Sequence, residues 1–255
     1  MEANSRDALL DWKAFHAHDI PTKGIKLPPL FEETLTVLAA NRPCLQILEL
    51  GCGTGELATS LAEKGHRVVG IDVNEGAIAQ AQTSYQQRIA SNCNDSNKIG
   101  TTIFLVGDVT TFRLEHLSST HSLPEKVDFC ILQLLLSIVG NASKRYQAIS
   151  SAHHSLKSGG YIYVSCSGVS DTINPNYKKL YEQDYPVTKE MYTYFSRSSK
   201  DGCILYETHH FQMMELKLLL ENCGFVDVHV QQVKEASSRR PEEAAFFLYA
   251  VARKL

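Results

Sequence analysis

The stretch that decides the fold covers residues 45–72 and reads LQILELGCGTGELATSLAEKGHRVVGID. Apolar residues before the glycines indicate a short buried strand, a helical pattern follows them, and a second apolar strand ends at Asp72. Glycines let a backbone approach a ligand closely, because no side chain stands in the way. An acidic residue at the tip of the next strand can accept hydrogen bonds from the hydroxyls of a ribose. The stretch therefore predicts a nucleoside-binding site on a strand–turn–helix–strand unit.

The spacing of the glycines distinguishes between classes of nucleoside ligand. A dinucleotide fingerprint reads G-x-G-x-x-G and rests the pyrophosphate on the helix N-terminus. Here the third glycine, Gly55, comes one position early, and Glu56 takes the place that the fingerprint gives to glycine. A carboxylate at the start of the helix would repel a pyrophosphate, whereas Glu49, just before the first glycine, suits a cationic group. The turn therefore disfavours a nicotinamide-dependent oxidoreductase.

The pattern E-x-G-x-G-x-G at residues 49–55 resembles motif I of the class I S-adenosylmethionine-dependent methyltransferases. The cofactor of that family carries an ammonium group, a sulfonium group and no phosphate. The resemblance covers residues 45–165 well and residues 211–253 in outline. It implies an enzyme that uses S-adenosyl-L-methionine to methylate an acceptor.

The order of the predicted elements agrees with that family. Beyond the first two strands, apolar runs predict five more, at 103–106, 127–133, 161–165, 225–230 and 245–251. Repeated alternation of strand and helix implies a parallel sheet with helices on both faces. The last two strands follow each other without a helix, which resembles the methyltransferase sheet, where the final strand is antiparallel. We therefore predict an α/β fold, Rossmann-like, with a seven-stranded, mostly parallel sheet whose last strand is antiparallel.

The residues that the resemblance assigns to the cofactor share one location, the carboxyl ends of the predicted parallel strands. Open α/β sheets bind their ligands there. The assigned residues are Glu49, Gly51, Cys52, Gly53 and Gly55 around the methionine part, Asp72 at the ribose hydroxyls, Val73, Asp108 and Val109 at the adenine, and Gln133 below the sulfonium. A glycine turn alone would be only a tight strand-to-helix connection, but Asp72 and Asp108 in the expected places favour the cofactor site.

Tyrosines concentrate in one segment before the predicted last helix, since six of the eleven fall within residues 177–206. In the family that the chain resembles, the segment after the fifth strand and the N-terminus commonly cover the substrate. We therefore predict a substrate-side lid at about 168–210. The candidate substrate contacts are Trp12, Tyr177, Tyr181 and Tyr206. The alternative is that Tyr177, Tyr181 and Tyr185, spaced by four, pack one helix face on the sheet.

A catalytic base is the least specified part of the predicted site. Methyl transfer from a sulfonium needs a base only when the nucleophile arrives protonated. His209 and His210 lie just before the last helix and are the candidates, because histidine titrates near neutrality. A capping or packing role is the alternative for both. The adjacent histidines 153 and 154 point in different directions on a helix, so we predict no metal site.

Length and composition bound the remaining expectations. A chain of 255 residues suits one methyltransferase domain over 44–255, preceded by a helical cap over 1–43. No apolar run reaches the ~20 residues of a membrane span, and no leader pattern opens the sequence. Seven cysteines without a C-x-x-C pair fit reduced thiols, so we expect a cytoplasmic protein. A net charge of -3 gives no general attraction to nucleic acid.

These observations favour a monomer or homodimer that methylates a small-molecule acceptor, without a nucleic-acid or membrane partner. A protein or RNA methyltransferase is the nearest alternative, and it predicts an open groove and a basic surface. A non-catalytic partner protein that binds S-adenosylmethionine is another, and it would have no acceptor pocket beside Gln133.

Overall fold

A computed structural model of the protein describes residues 27–91, 100–115, 123–198, 201–237 and 242–255. The expectations for residues 1–26, including Trp12 as a substrate contact, lie outside the described residues. Within the described parts of the chain, no helix is both long and apolar enough to cross a membrane.

The described residues form nine strands, seven of which make one sheet. In chain order the strands are β1 Gln46–Leu50, β2 Arg67–Asp72, β3 Thr101–Val106, β4 Val127–Gln133, β5 Leu156–Gly168, β6 Thr193–Arg197, β7 Ile204–His209, β8 Phe225–Ala236 and β9 Ala244–Lys254. The large sheet has the order β3-β2-β1-β4-β5-β9-β8, with β1 to β5 parallel and β9 antiparallel to both of its neighbours. The predicted fold class is therefore confirmed, including the antiparallel last strand.

The strand order reverses between β1 and β4, because the chain first builds outwards to β3 and then returns to the other side of β1. The crevice at such a reversal, outside the carboxyl ends of the strands, is where open α/β sheets bind ligands. The topology therefore directs attention to the residues that follow β1, β2 and β4.

Helices cover both faces of the sheet. They are α1 Pro29–Asn41, α2 Glu56–Glu63, α3 Glu75–Ser91, α4 Ala142–Ser155, α5 Pro175–Thr188 and α6 Met213–Asn222, with a short 3-10 helix at Leu136–Ile138. Apolar residues of α1, α2, α3 and α5 pack in one core cluster, and those of α4 and α6 in a second. The two clusters use alternate residues of each strand: in β1, Ile47 belongs to the first and Leu48 to the second.

Helix α1 is built into the body of the protein. The ring of Phe31 is fully buried, with its centroid 5.7 Å from that of Phe129 in β4 and 4.9 Å from that of Tyr163 in β5. Burying an aromatic side chain of this size contributes about 1.5–3 kcal/mol. The second half of the predicted N-terminal cap therefore forms part of the sheet's own core.

The segment between β5 and α6 contains a pair of strands that the sequence pattern does not predict. It holds α5 and the antiparallel pair β6–β7, which forms a separate two-stranded sheet. Asp184 of α5 and Arg197 of β6 form a two-pronged ion pair, with N–O distances of 2.6 and 2.8 Å. Backbone bonds between Phe211 and the end of β5 hold the segment on the main sheet, since Phe211 N–H donates to Ser167 O at 2.8 Å. We call residues 168–210 the insertion.

Candidate active site

The glycine turn after β1 adopts a backbone that ordinary side chains disfavour. Gly51, Gly53 and Gly55 have φ angles of +76°, +51° and +74°, in the left-handed region that glycine enters without steric cost. A Cβ atom on Gly55 would lie 2.5 Å from the ring of Phe104, so this glycine is needed for packing. A Cβ atom on Gly53 would meet nothing within 4 Å. Gly53 therefore marks the open side of the turn, where a ligand can approach the backbone.

Asp72, at the end of β2, ties the turn to the sheet. Its Oδ2 accepts a hydrogen bond from Gly53 N–H at 2.8 Å, and its Oδ1 accepts one from Asn74 N–H at 2.9 Å. Burial raises the pKa of Asp72, and its backbone hydrogen bonds oppose that rise. Each carboxylate oxygen has two lone pairs, so Asp72 retains the capacity to accept from ribose hydroxyls. The geometry suits the role predicted for this residue.

Two buried oxygens next to the turn lack a hydrogen-bond partner among the described residues. They are Oε2 of Glu49, in β1, and Oε1 of Gln133, at the end of β4. Leaving a buried polar group unsatisfied costs about 1–3 kcal/mol, so such groups are few in native proteins and need an explanation. Strand alternation places Glu49, Asp72 and Gln133 on the sheet face that α2 covers, because Ile47, Val68 and Ile131 share that face. Both oxygens could therefore accept hydrogen bonds from a ligand.

Glu49 also interacts with the start of α2. It accepts a hydrogen bond from the backbone of Ala58, in the first turn of the helix, where amide groups lack partners within the helix. The side chain is 3% exposed, and burial together with the charge of Asp72 raises its pKa to about 8. Glu49 thus supports the turn with one part of its carboxyl group and leaves Oε2 for a ligand.

The residues predicted at the adenine follow the ends of β2 and β3. Asp108 is exposed, and its Oδ1 accepts hydrogen bonds from both the backbone and the hydroxyl of Thr110, at 2.8 and 2.7 Å. Val109 packs its side chain in the core, and Val73 is half-buried. The thiol of Cys52 lies in the core, 2.9 Å from where a Cβ atom on Gly70 would stand. The backbone of Cys52 therefore lies in the turn, whereas its thiol points into the core.

His209, one of the two candidate bases, has both ring nitrogens engaged. Its Nδ1 lies 2.7 Å from Thr193 Oγ1, and its Nε2 lies 2.8 Å from Glu215 Oε1. Glu215 also belongs to the capping box at the start of α6, together with Gln212. These bonds support the capping alternative for His209, and a role as base stays a prediction. The spacing Gln212-x-x-Glu215 is a signal in the sequence from which this partner could have been found.

His210, the other candidate, is enclosed by tyrosines of the insertion. Its Nδ1 lies 2.6 Å from the hydroxyl of Tyr181, and its Nε2 lies 3.4 Å from that of Tyr194. Burial, with a smaller effect of His209, lowers the pKa of His210 to about 3, so the ring is neutral at physiological pH. Its role as a base likewise stays a prediction. Among the described residues, no group of three or more His, Cys, Asp or Glu side chains is arranged to hold a metal ion.

The tyrosines of the insertion pack on one another and on this histidine. The rings of Tyr177, Tyr181 and Tyr194 have centroids 4.8, 5.7 and 5.2 Å from that of His210, and all three are buried. Tyr206, in β7, is buried as well. This arrangement supports the packing alternative for Tyr177 and Tyr181. Whether any of these tyrosines contacts a substrate stays a prediction.

The packing alternative is wrong for Tyr185, which is 48% exposed. Four residues of an α-helix turn through about 400°, so each step of four rotates the side chain by about 40°. Tyr185 has therefore rotated by about 80° from the direction of Tyr177, which takes it off the buried face of α5.

Replacing His210 by phenylalanine should lower the free energy of unfolding by about 1–3 kcal/mol, because the buried hydroxyls of Tyr181 and Tyr194 each lose one hydrogen-bond partner. Binding of S-adenosylhomocysteine should be unchanged, since His210 does not belong to the glycine turn. Denaturant unfolding and calorimetry measure the two effects. Unchanged stability would contradict the packing role given to this histidine.

A seven-stranded Rossmann-like sheet with a glycine turn and an acidic strand tip defines a class of nucleoside-binding α/β proteins. Comparison with known proteins narrows that class. Residues 48–164 match the family model of a methyltransferase domain. The chain is also similar to a crystal structure of a SAM-dependent methyltransferase from Methanosarcina mazei, with 26% identity and a TM-score of 0.76 over 91% of this chain and 99% of the other. The matched domain and the fold are those of S-adenosylmethionine-dependent methyltransferases, proteins whose cofactor is S-adenosyl-L-methionine.

Two further similarities are more limited. A curated Geobacillus methyltransferase is 54% identical over 44 residues, which are 16% of this chain and 18% of that protein. The match thus spans less than a fifth of that relative's length. The phosphoethanolamine N-methyltransferase 2 of Haemonchus contortus, solved with phosphomonomethylethanolamine and S-adenosylhomocysteine, has 15% identity and a TM-score of 0.59. That alignment covers 98% of this chain and 60% of the other, and it shows the fold alone.

Proposed function

We propose that this protein transfers a methyl group from S-adenosylmethionine to a small-molecule acceptor by in-line displacement. The observation that carries the proposal is the pair of buried oxygens, on Glu49 and Gln133, to which no described residue donates a hydrogen bond, beside the open side of the glycine turn. Hydrogen-bond acceptors without donors fit a ligand that brings an ammonium group and a sulfonium group. They do not fit a pyrophosphate, which would bring more acceptors.

Different residues of the site would bind different parts of the cofactor. Glu49 would accept from the ammonium group, the backbone at Gly53 would lie against the ligand, and Asp72 would hold the ribose hydroxyls. Gln133 would lie below the sulfonium. When bound there, the cofactor supplies an electrophilic methyl group. The protein's own contribution is to orient the nucleophile about 3 Å from that carbon, an effect worth ~7–11 kcal/mol in favourable cases.

The position of the insertion supports a small acceptor. Gln133 pairs with Ser165 in the β4–β5 register, and Phe211 is bonded to Ser167, two residues further along β5. Strand β7 packs against the short 3-10 helix that follows β4. The insertion therefore stands directly over the carboxyl ends of β4 and β5. Such cover would exclude water from a reacting metabolite, whereas a protein or RNA acceptor would need an open groove.

Thermal unfolding with S-adenosylmethionine, S-adenosylhomocysteine and NAD tests the cofactor, since a ligand at ~100 times its dissociation constant adds ~2.7 kcal/mol of stability. The first two should raise the melting temperature and NAD should not.

Transfer of a labelled methyl group should then be measured on panels of amines, phenols and thiols, with RNA and protein extracts as the competing acceptors. Labelling of RNA or protein without any labelled metabolite would contradict the small-molecule acceptor.

Replacing Asp72 by alanine should weaken binding of S-adenosylhomocysteine by roughly 1.5–3 kcal/mol, the range for hydrogen bonds to a charged group. Asp72→Asn should weaken it less, because the amide keeps one acceptor oxygen. Calorimetry measures both affinities. Asp227→Ala is the matched control, since this aspartate is exposed on β8 and pairs there with Arg253. Unchanged affinity in Asp72→Ala would remove Asp72 from the site.

A further inference from the structure

The carboxyl group of Glu49 lies in surroundings that do not favour its charged form. It is buried between β1 and α2, one backbone amide hydrogen-bonds to it, and Oε2 has no partner among the described residues. The titratable groups that face it are the carboxyl of Asp72 and the thiol of Cys52. In the described part of the chain, no cation is among the groups that shift its pKa. A buried carboxylate without a counter-charge is strongly disfavoured relative to the neutral acid.

Of the two carboxyl groups in this cluster, Glu49 is the one whose surroundings favour the protonated form. Asp72 is also buried, but backbone N–H groups of Asn74, Gly53 and Val73 donate to it and thereby favour its charged form. Burial raises the pKa of the Cys52 thiol well above its ordinary value, so this group remains neutral. Burial and, to a smaller extent, the charge of Asp72 make a negative charge on Glu49 unfavourable, and the pKa of Glu49 rises to about 8.

We propose that Glu49 carries a proton in the ligand-free protein and releases it to solvent when the ammonium group of the cofactor binds. This proposal rests on the proposed function. The O–H bond of the acid breaks, the proton passes to water, and the carboxylate pairs with the ammonium group. The bound ammonium supplies both the counter-charge and the hydrogen-bond donor that Oε2 lacks. Cofactor binding is thereby coupled to pH, and the site distinguishes ligands with the amino acid part from ligands without it.

The pH dependence of cofactor binding has a definite direction, because Glu49 must lose its proton before it can pair with the ammonium group. Below a pKa of about 8, each pH unit downwards should weaken binding by up to tenfold, because a protonated Glu49 must first be ionised. Above that pH the affinity should level off. With a pKa of about 8, the ligand-free group is about nine-tenths protonated at pH 7, so binding should release about 0.9 proton.

Proton release can be measured by titration calorimetry of S-adenosylhomocysteine at pH 7, in phosphate and in Tris, which differ in ionisation enthalpy. We expect about 0.9 proton per ligand bound. The probe 5′-methylthioadenosine keeps the adenosine and the thioether but lacks the amino acid, and it should bind without release. Glu49→Gln should bind S-adenosylhomocysteine with no release and with an affinity independent of pH between 6 and 8. Glu63→Gln, an exposed change on α2, is the matched control and should behave as the unchanged protein.

The outcomes test the role of Glu49 separately from the proposed function. Binding of S-adenosylhomocysteine without proton release overturns the role of Glu49 and leaves the proposed function standing. Release that persists in Glu49→Gln, or equal release with 5′-methylthioadenosine, also overturns it. Failure of S-adenosylhomocysteine to bind at any pH overturns the proposed function as well. If Glu49→Gln does not fold, proton release by the unchanged protein with S-adenosylhomocysteine and with 5′-methylthioadenosine still tests the role of Glu49.

Discussion

Gly53→Val should abolish binding of S-adenosylhomocysteine, with a loss of affinity of at least 100-fold, while the protein remains folded. Gly53 has a φ of +51°, and a Cβ atom there meets nothing within 4 Å. The added side chain would therefore stand in the open space over the turn, where the cofactor is proposed to lie. A loss of 100-fold corresponds to about 2.7 kcal/mol.

The cost to folding should be smaller than the cost to binding. A side chain at positive φ is disfavoured by roughly 1–2 kcal/mol, and the Cβ atom at Gly53 adds no steric overlap to that figure. Gly159→Val is the matched control, because Gly159 also has a positive φ of +74° and open space around it, but lies near the amino end of β5. It should lose similar stability and keep its affinity. Equal affinities in the two variants, measured by calorimetry, would mean that the turn is not the cofactor loop.

Arg145→Leu should lower the free energy of unfolding by about 3 kcal/mol, towards the lower end of the range for breaking a buried ion pair. Arg145 of α4 is 1% exposed, and its guanidinium pairs with Glu190 of the insertion. It also donates to the carbonyl of Gly140 at 2.6 Å and lies 5.7 Å from the ring centre of Phe211. Without it, the carboxylate and the carbonyl lose their donor. Glu190 is partly exposed, so water can hydrate it, which keeps the loss from being larger.

This arginine joins the insertion to the body of the protein, so its loss should leave the cofactor site intact. Affinity for S-adenosylhomocysteine should stay within a few-fold of the unchanged protein, since Arg145 is remote in sequence from the glycine turn and makes none of the contacts described there. Arg88→Leu is the control, because Arg88 pairs with Glu56 at the surface at 2.6 Å. Surface pairs contribute about 0–1 kcal/mol. Denaturant unfolding that gave the two variants equal stability would contradict the structural role of Arg145.

The central sheet could be predicted from the sequence because its signals are local. Strand β2 ends at Asp72 and strand β4 covers residues 127–133, as the apolar runs predict. Strands covered on both faces read as continuous apolar runs between polar residues and glycines, and few other structures produce that pattern. The glycine turn is equally local, since positive φ angles restrict the residue type at each position.

The insertion could not be predicted in the same way. Strands β6 and β7 are short, and their partly polar sequences TYFSR and ILYETH give no sustained alternation. Their pairing depends on contacts with α5 and with the end of β5. The enclosure of His210 by Tyr181 and Tyr194 likewise joins residues 29 and 16 positions apart. The periodicity of apolar residues along the sequence does not predict contacts between residues that far apart.

The sequence by itself determined the order of strands and helices, the turn and the acidic strand tip, because these depend on the backbone preferences and burial of neighbouring residues. Only the tertiary structure decided which polar groups satisfy one another. His209 and His210, predicted alike, are bonded to different partners, whereas Glu49 and Gln133 each have a buried oxygen without a partner among the described residues. The reason is physical: the hydrogen bonds and the pKa of a buried group are set by atoms that the fold brings near it, from distant parts of the chain.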